Sequence, residues 1–275
     1  MEQASAIVLW IAFLLYCGSF AMFLVALFAR HEGLERVGLW LVAGGWTLQT
    51  AALVLRGAAA GRVPVVGAYE SLSAVAWSVA LVYLALEFFT RVKAIGLYVV
   101  PVVIGLLVAA LTEYEAPREL MPALRSDIVV LHVIVMLTAL GALYVAGGAA
   151  LIYLFEEWRL KRRRLSGVLG RLPSLATLDK LMFHATLLGL PALTMGMAAG
   201  VIRVETFAVE RWWTDPMVLL SAAAWVTYAV LLWGRLRADW GGRRVAWLAI
   251  TGLALMLTIR FAAVPYLSAF HTYGS

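Results

Sequence analysis

The chain has 275 residues, 64% of them hydrophobic and only 14% charged, with a mean hydropathy of +0.91. A soluble core does not absorb that much apolar surface, so a soluble globular enzyme is excluded and a polytopic membrane protein is expected. The formal net charge of +6 would suit nucleic acid, but the basic residues lie in short loops without interleaved aromatics or a binding fold, which excludes that partner.

Eight apolar stretches are predicted to cross about 30 Å of hydrocarbon as helices. They cover residues 5–28, 37–56, 69–89, 94–112, 127–154, 181–202, 215–234 and 244–268. The first carries Glu2 ahead of it and lacks a positive leading segment, so it reads as a span and not as a signal peptide. It holds Cys17, the only cysteine, which leaves no disulfide framework and no Cys-x-x-Cys pair for dithiol exchange. The third span opens at Tyr69 and Glu70. The fifth has His132 about one turn inside its start, followed by Gly141, Gly147 and Gly148, a small-residue face suited to close helix packing. Gly196 and Gly200 in the sixth span read the same way. Trp212-Trp213-Thr214-Asp215-Pro216 occupies a short loop before the seventh span, and the eighth contains Arg260 and closes at His271. No long polar block interrupts the series. The expected architecture is one all-α transmembrane domain over residues 1–275, a bundle of about eight helices.

Lys and Arg mark cytoplasmic loops. Fifteen of them fall in the 1–2, 3–4, 5–6 and 7–8 connections and six in the opposite ones, so both termini are expected to be extracytoplasmic. The run Arg159 to Arg164 reads as a topology determinant against anionic membrane lipid.

This orientation sorts the four histidines into an outer pair, His132 and His271, and an inner pair, His31 and His184. A neutral imidazole is an axial ligand for heme iron, and two from different helices would clamp the metal from opposite faces. Trp212 and Trp213 would supply an aromatic shelf beside them. Spacing alone leaves a second reading open, in which the tryptophans are interfacial anchors and the histidines are solvated. The inner pair is either a second iron site or a set of headgroup contacts beside Arg30 and Lys180. Arg260, buried at hydrocarbon depth, needs a partner. A propionate, a quinone-like headgroup or a carboxylate of another helix would serve. It lies about 16 Å along the helix from His271, which favours internal pairing. Glu70 either accepts an imidazole N–H or orients the outer loop. No phosphate loop, Ser-His-Asp set or nucleotide fingerprint is present, and no catalytic residues are assigned.

Several segments, in order, resemble the cytochrome c assembly membrane proteins of the CcsA/ResC type. They are Gly67-Ala68-Tyr69-Glu70-Ser71-Leu72 followed by Trp77, Leu131-His132-Val133, and Leu178-Asp179-Lys180-Leu181 with Leu190-Pro191-Ala192-Leu193-Thr194-Met195-Gly196. Trp212 to Pro216 with Trp225, and Ala269-Phe270-His271-Thr272-Tyr273-Gly274, complete the series. The resemblance covers about the last three quarters of the chain. It implies a heme-binding integral protein of the cell inner (plasma) membrane that serves cytochrome c biogenesis. His132 and His271 would be the iron ligands, Trp212 and Trp213 the shelf, and Tyr69 and Glu70 its support. Heme would be held at the outer face for delivery or attachment to the Cys-x-x-Cys-His segment of apocytochrome c. The short outer loops imply a partner protein with a soluble extracytoplasmic domain. Where that family carries Lys, Glu and further Trp, this chain has Met217-Val218-Leu219-Leu220, and a family histidine in span seven falls on Trp233. The pattern is similar to the HemX/YpjD branch, which implies the alternative of an accessory or regulatory protein of the heme pathway without direct heme transfer.

Overall fold

The computed structural model describes residues 1–29, 32–65, 67–90, 95–115, 126–162, 173–206 and 211–262. Eight α-helices occur among them: α1 (Glu2–Ala29), α2 (Glu32–Ala60), α3 (Gly67–Thr90), α4 (Gly96–Thr112), α5 (Asp127–Lys161), α6 (Leu175–Thr206), α7 (Pro216–Arg237) and α8 (Arg243–Thr258). The described residues contain no strand. Seven helices are long and apolar enough to cross a membrane, and α4 is a shorter apolar helix of 17 residues. The fold is that of an all-α polytopic membrane protein. His31 and His271 lie outside the described residues.

Helix α5 departs from the expected span. It runs 35 residues, past the predicted end at 154, into what reads in sequence as a connector. Charge pairs carry it there, since oppositely charged groups three and four residues apart support a helix beyond the apolar segment. Lys161 bonds Glu157 at 2.6 Å, and Arg159 bonds Glu156 through both Nε and Nη2. Arg159 and Glu156 are buried. Arg159 is therefore an internal ion-pair partner.

Internal contacts divide the chain into two compact units. Unit 1 is Met1–Met121 with Phe155–Thr177, and unit 2 is Pro122–Leu154 with Leu178–Ser275.

In unit 1, α1 packs along α2, and α4 packs on α3 and α1. Glycine makes the first approach close. A Cβ added at Gly38 would sit 2.9 Å from the Phe23 ring, and one at Gly45 would sit 3.2 Å from the Tyr16 ring. Three hydrogen bonds join polar side chains of this apolar core, where a buried polar group without a partner is costly. Tyr16 donates to Gln49 at 2.9 Å, Gln49 donates to the Ser73 carbonyl at 3.0 Å, and Trp77 donates to Thr50 at 2.7 Å. The Trp77 ring stacks on Trp46 at 5.5 Å. These bonds tie α1, α2 and α3 where apolar packing alone would leave helix rotation weakly specified.

In unit 2, α7 packs against α8, and a Cβ at Gly252 would collide with Tyr228 of α7. A Cβ at Gly147 of α5 would lie 2.6 Å from Leu253 Cβ of α8, and one at Gly189 of α6 would lie 2.6 Å from Leu143 of α5. The small residues of α5 thus serve close packing on two sides. Trp225 of α7 donates to Thr194 of α6 at 2.8 Å.

Candidate functional site

In unit 2 His132 stands in the second turn of α5. Its Nδ1 lies 2.7 Å from the carbonyl oxygen of Gly196 on α6. A backbone carbonyl only accepts, so Nδ1 carries the proton and donates it. The proton-free lone pair is then on Nε2, the atom a neutral imidazole offers to a metal. The ring reaches the carbonyl because α6 is bare there: a Cβ at Gly200 would lie 3.1 Å from His132 Cε1 and 3.3 Å from Nδ1. Met136, one turn further along α5, fills the companion notch, with its Sδ 2.5 Å from where a Gly196 Cβ would be.

The tryptophan pair hangs from the same end of α6. Trp212 donates its Nε1–H to Glu205 at 3.1 Å, in the last turn of that helix. Glu205 is about 8 Å along α6 from Gly200. Trp213 meets Trp212 edge to face at 6.0 Å and is 57% exposed. Local chemistry shapes this loop. Arg211 enters with a left-handed φ of 54°, Trp212–Thr214 forms a single 3-10 turn, and Asp215 then caps α7. The Asp215 side chain accepts the Met217 N–H at 2.8 Å, with Pro216 at the first helical position. The cap stops the loop sharply and leaves both indoles in place beside the end of α6.

Tyr69 and Glu70 are in unit 1, at the start of α3. Glu70 is 1% exposed and takes Arg56 Nε at 2.9 Å and Arg62 Nη1 at 2.6 Å. Arg56 also donates to the Glu115 carbonyl at 2.6 Å and lies 4.9 Å from the Tyr69 ring centroid, which meets Tyr114 edge to face at 5.0 Å. Gly67 has φ +83°, and a Cβ there would collide with the Glu115 carboxylate, so only glycine fits this entry to α3. This cluster joins the end of α2, the α2–α3 connection, the start of α3 and the end of α4.

Of the other candidates, His184 is exposed on α6, its ring 5.6 Å from Phe183. Arg260 sits in a π-type turn at 259–262 after α8, 5.8 Å from the Phe261 ring centroid. Trp233 is 59% exposed and meets Trp240 edge to face at 6.3 Å, an arrangement suited to a lipid-facing aromatic belt. Asp179 ties the start of α6 to the α7–α8 turn through Arg235 and the Gly242 N–H, the latter at 3.0 Å. Sequence reasoning missed the two partners of His132. Gly196 acts through its backbone, and Gly200 acts by having no side chain. A G-x-x-x-G spacing on α6 was the one signal, and it reads as packing.

Fold and site together define a polytopic helical membrane protein in which an α5 imidazole bonds an α6 carbonyl and a tryptophan loop is tied to the last turn of that helix. The chain matches the Cytochrome C assembly protein family over residues 65–271 of its 275, and it belongs to that family. It is 27% identical to the cytochrome c biogenesis protein CcsA of Gloeobacter violaceus, over 100% of this chain and 95% of that protein. It is 29% identical to protein HemX of Brevibacillus brevis, over 81% of this chain and 82% of that protein. With protein HemX of Bacillus subtilis the figures are 26%, 94% and 95%.

Proposed function

We propose that this protein holds heme at the extracytoplasmic face of the cell inner (plasma) membrane for delivery or attachment to apocytochrome c. His132 and His271 would hold its iron, Trp212 and Trp213 would form the shelf, and Tyr69 and Glu70 would order the outer end of unit 1. The observation that carries the reading is the His132 tautomer. An imidazole whose Nδ1–H is bound to Gly196 presents Nε2 as a neutral donor, which fits heme iron. Heme, when bound, brings the vinyl groups that take thioether bonds from apocytochrome cysteines. This chain supplies the ligands, the aromatic surface and the membrane position. A partner with a soluble extracytoplasmic domain presents the apocytochrome.

The protein purified in detergent is expected to show a low-spin bis-imidazole absorption spectrum, as isolated or after addition of hemin. The spectrum is expected to be lost in His132→Ala and in His271→Ala. An unchanged spectrum in the double variant would sink the assignment.

Met217-Val218-Leu219-Leu220 after the tryptophan loop, and Trp233 on α7, favour a second reading: an accessory or regulatory protein of the heme pathway without direct transfer. Under it, variants at Trp212 and Trp213 change heme-pathway abundance in cells while leaving holocytochrome c yield per unit of available heme unchanged.

A further inference from the structure

We propose that Gly196 and Gly200 are positioning residues for iron binding, forming a two-glycine notch in α6 that fixes the tautomer, orientation and donor strength of His132. The inference rests on the reading of His132 as an iron ligand.

In a regular helix the carbonyl of residue i points toward residue i+4, and a side chain there overhangs it. Here residue i is Gly196 and residue i+4 is Gly200, so the overhang is missing and the carbonyl is open on that flank. The imidazole of His132 occupies the opening, with Nδ1 2.7 Å from the Gly196 oxygen. The fit is close: the 3.1 Å and 3.3 Å separations from a hypothetical Gly200 Cβ are tighter than ordinary van der Waals contact. A methyl at 200 would therefore push the ring outward by a few tenths of an ångström and lengthen the bond to the carbonyl. A branched side chain would remove it. A lengthened bond weakens the pull on the Nδ1 proton, which makes Nε2 a poorer donor. The same bond holds the ring plane, so Nε2 would also lose its fixed direction. Gly196 contributes differently, because a side chain there meets the Met136 thioether at 2.5 Å while its carbonyl remains. The notch thus has one residue that supplies the acceptor and one that keeps access to it open.

The test compares Gly200→Ala, Gly200→Val and His132→Ala with Gly148→Ala. Gly148 is a control in the same unit, since a Cβ there has no described atom within 4 Å. Hemin affinity and the midpoint potential of the bound heme are measured in detergent. Gly148→Ala is expected to match the parent in both. Gly200→Ala is expected to bind hemin more weakly and to shift the potential upward, because a weaker donor stabilises ferric iron less. Gly200→Val is expected to lose about 10–100-fold in affinity, the usual effect of removing a ligand's orienting partner. If the valine variant fails to fold, the alanine variant still decides the matter. Gly200 variants that match Gly148→Ala, or that lose affinity with no change in potential, would overturn the notch while leaving His132 as ligand. Full hemin affinity in His132→Ala would instead sink the ligand assignment itself.

Discussion

Arg56 and Glu70 belong to different helices and form a buried ion pair, with Arg56 Nε donating to Glu70 Oε1 at 2.9 Å. Both side chains are at most 3% exposed, and Arg62 completes the carboxylate's coordination at 2.6 Å. Removing one partner strands a charge in a low-dielectric core, which costs about 3–5 kcal/mol. Glu70→Ala is therefore expected to lower the temperature at which the detergent-solubilised protein aggregates, followed by size-exclusion fluorescence. Glu70→Gln keeps one acceptor oxygen and should lose less. The triple variant Arg56→Leu/Arg62→Leu/Glu70→Leu should recover much of the loss, because matched apolar groups leave no stranded charge. A Glu70→Ala protein as heat-resistant as the parent would show that the pair does not hold this end of unit 1.

Asp179 performs a comparable task at the opposite end of α6 from Gly196. It takes Arg235 of α7 and the N–H of Gly242, while Arg235 donates to the Trp240 carbonyl at 3.0 Å. Gly242 holds φ +61°, a conformation suited to glycine, so this turn depends on its anchor. Asp179→Ala is expected to cost about 1–3 kcal/mol and to expose the segment 238–242 to protease. Asp179 is about 26 Å along α6 from Gly196, so hemin affinity should not change. A fall in affinity equal to that of His132→Ala would place Asp179 in the heme site instead.

These two ion pairs show why part of the structure was readable in advance and part was not. Hydropathy located the spans because the cost of exposing peptide groups to lipid forces long apolar helices. It misplaced the end of α5, since a hydropathy scan stops at charges while the helix continues on its Glu156–Arg159 and Glu157–Lys161 pairs. It closed the second span at Arg56, whereas the structure carries α2 on to Ala60 and buries Arg56, whose partner Glu70 follows 14 positions later across a turn. His132 could be singled out because imidazole chemistry belongs to the residue itself. Its acceptor could not, because a backbone carbonyl is present at every position and only the fold exposes the one at Gly196.

Trp212 and Trp213 separate stability from binding. Trp212→Phe removes one hydrogen bond, to Glu205, worth about 1 kcal/mol. Trp213 is largely exposed, so Trp213→Ala is expected to change stability by no more than about 0.5 kcal/mol. If the indoles form a shelf for the macrocycle, both variants bind hemin more weakly by titration in detergent, with melting temperatures close to the parent. Unchanged hemin affinity in both would reduce the pair to interfacial anchors.

The orientation of the membrane helices bears on every statement about an outer face. It rests on fifteen basic residues in one set of connections against six in the other. The chain has one native cysteine, Cys17 in α1, so Cys17→Ser gives a background for single-cysteine labelling. Thr214, beside the tryptophan pair, and Ser174, just before α6, are both exposed and lie at opposite ends of that helix. In intact spheroplasts a membrane-impermeant maleimide is expected to label Thr214→Cys at once and Ser174→Cys only after permeabilisation. The charge imbalance acts on the translocation of short loops, so it predicts all eight helices together and not one at a time. Labelling of Ser174→Cys from outside would turn His132 and the tryptophan loop toward the cytoplasm. A heme held by His132 would then be held on the cytoplasmic side, and the proposed presentation to apocytochrome outside would fail.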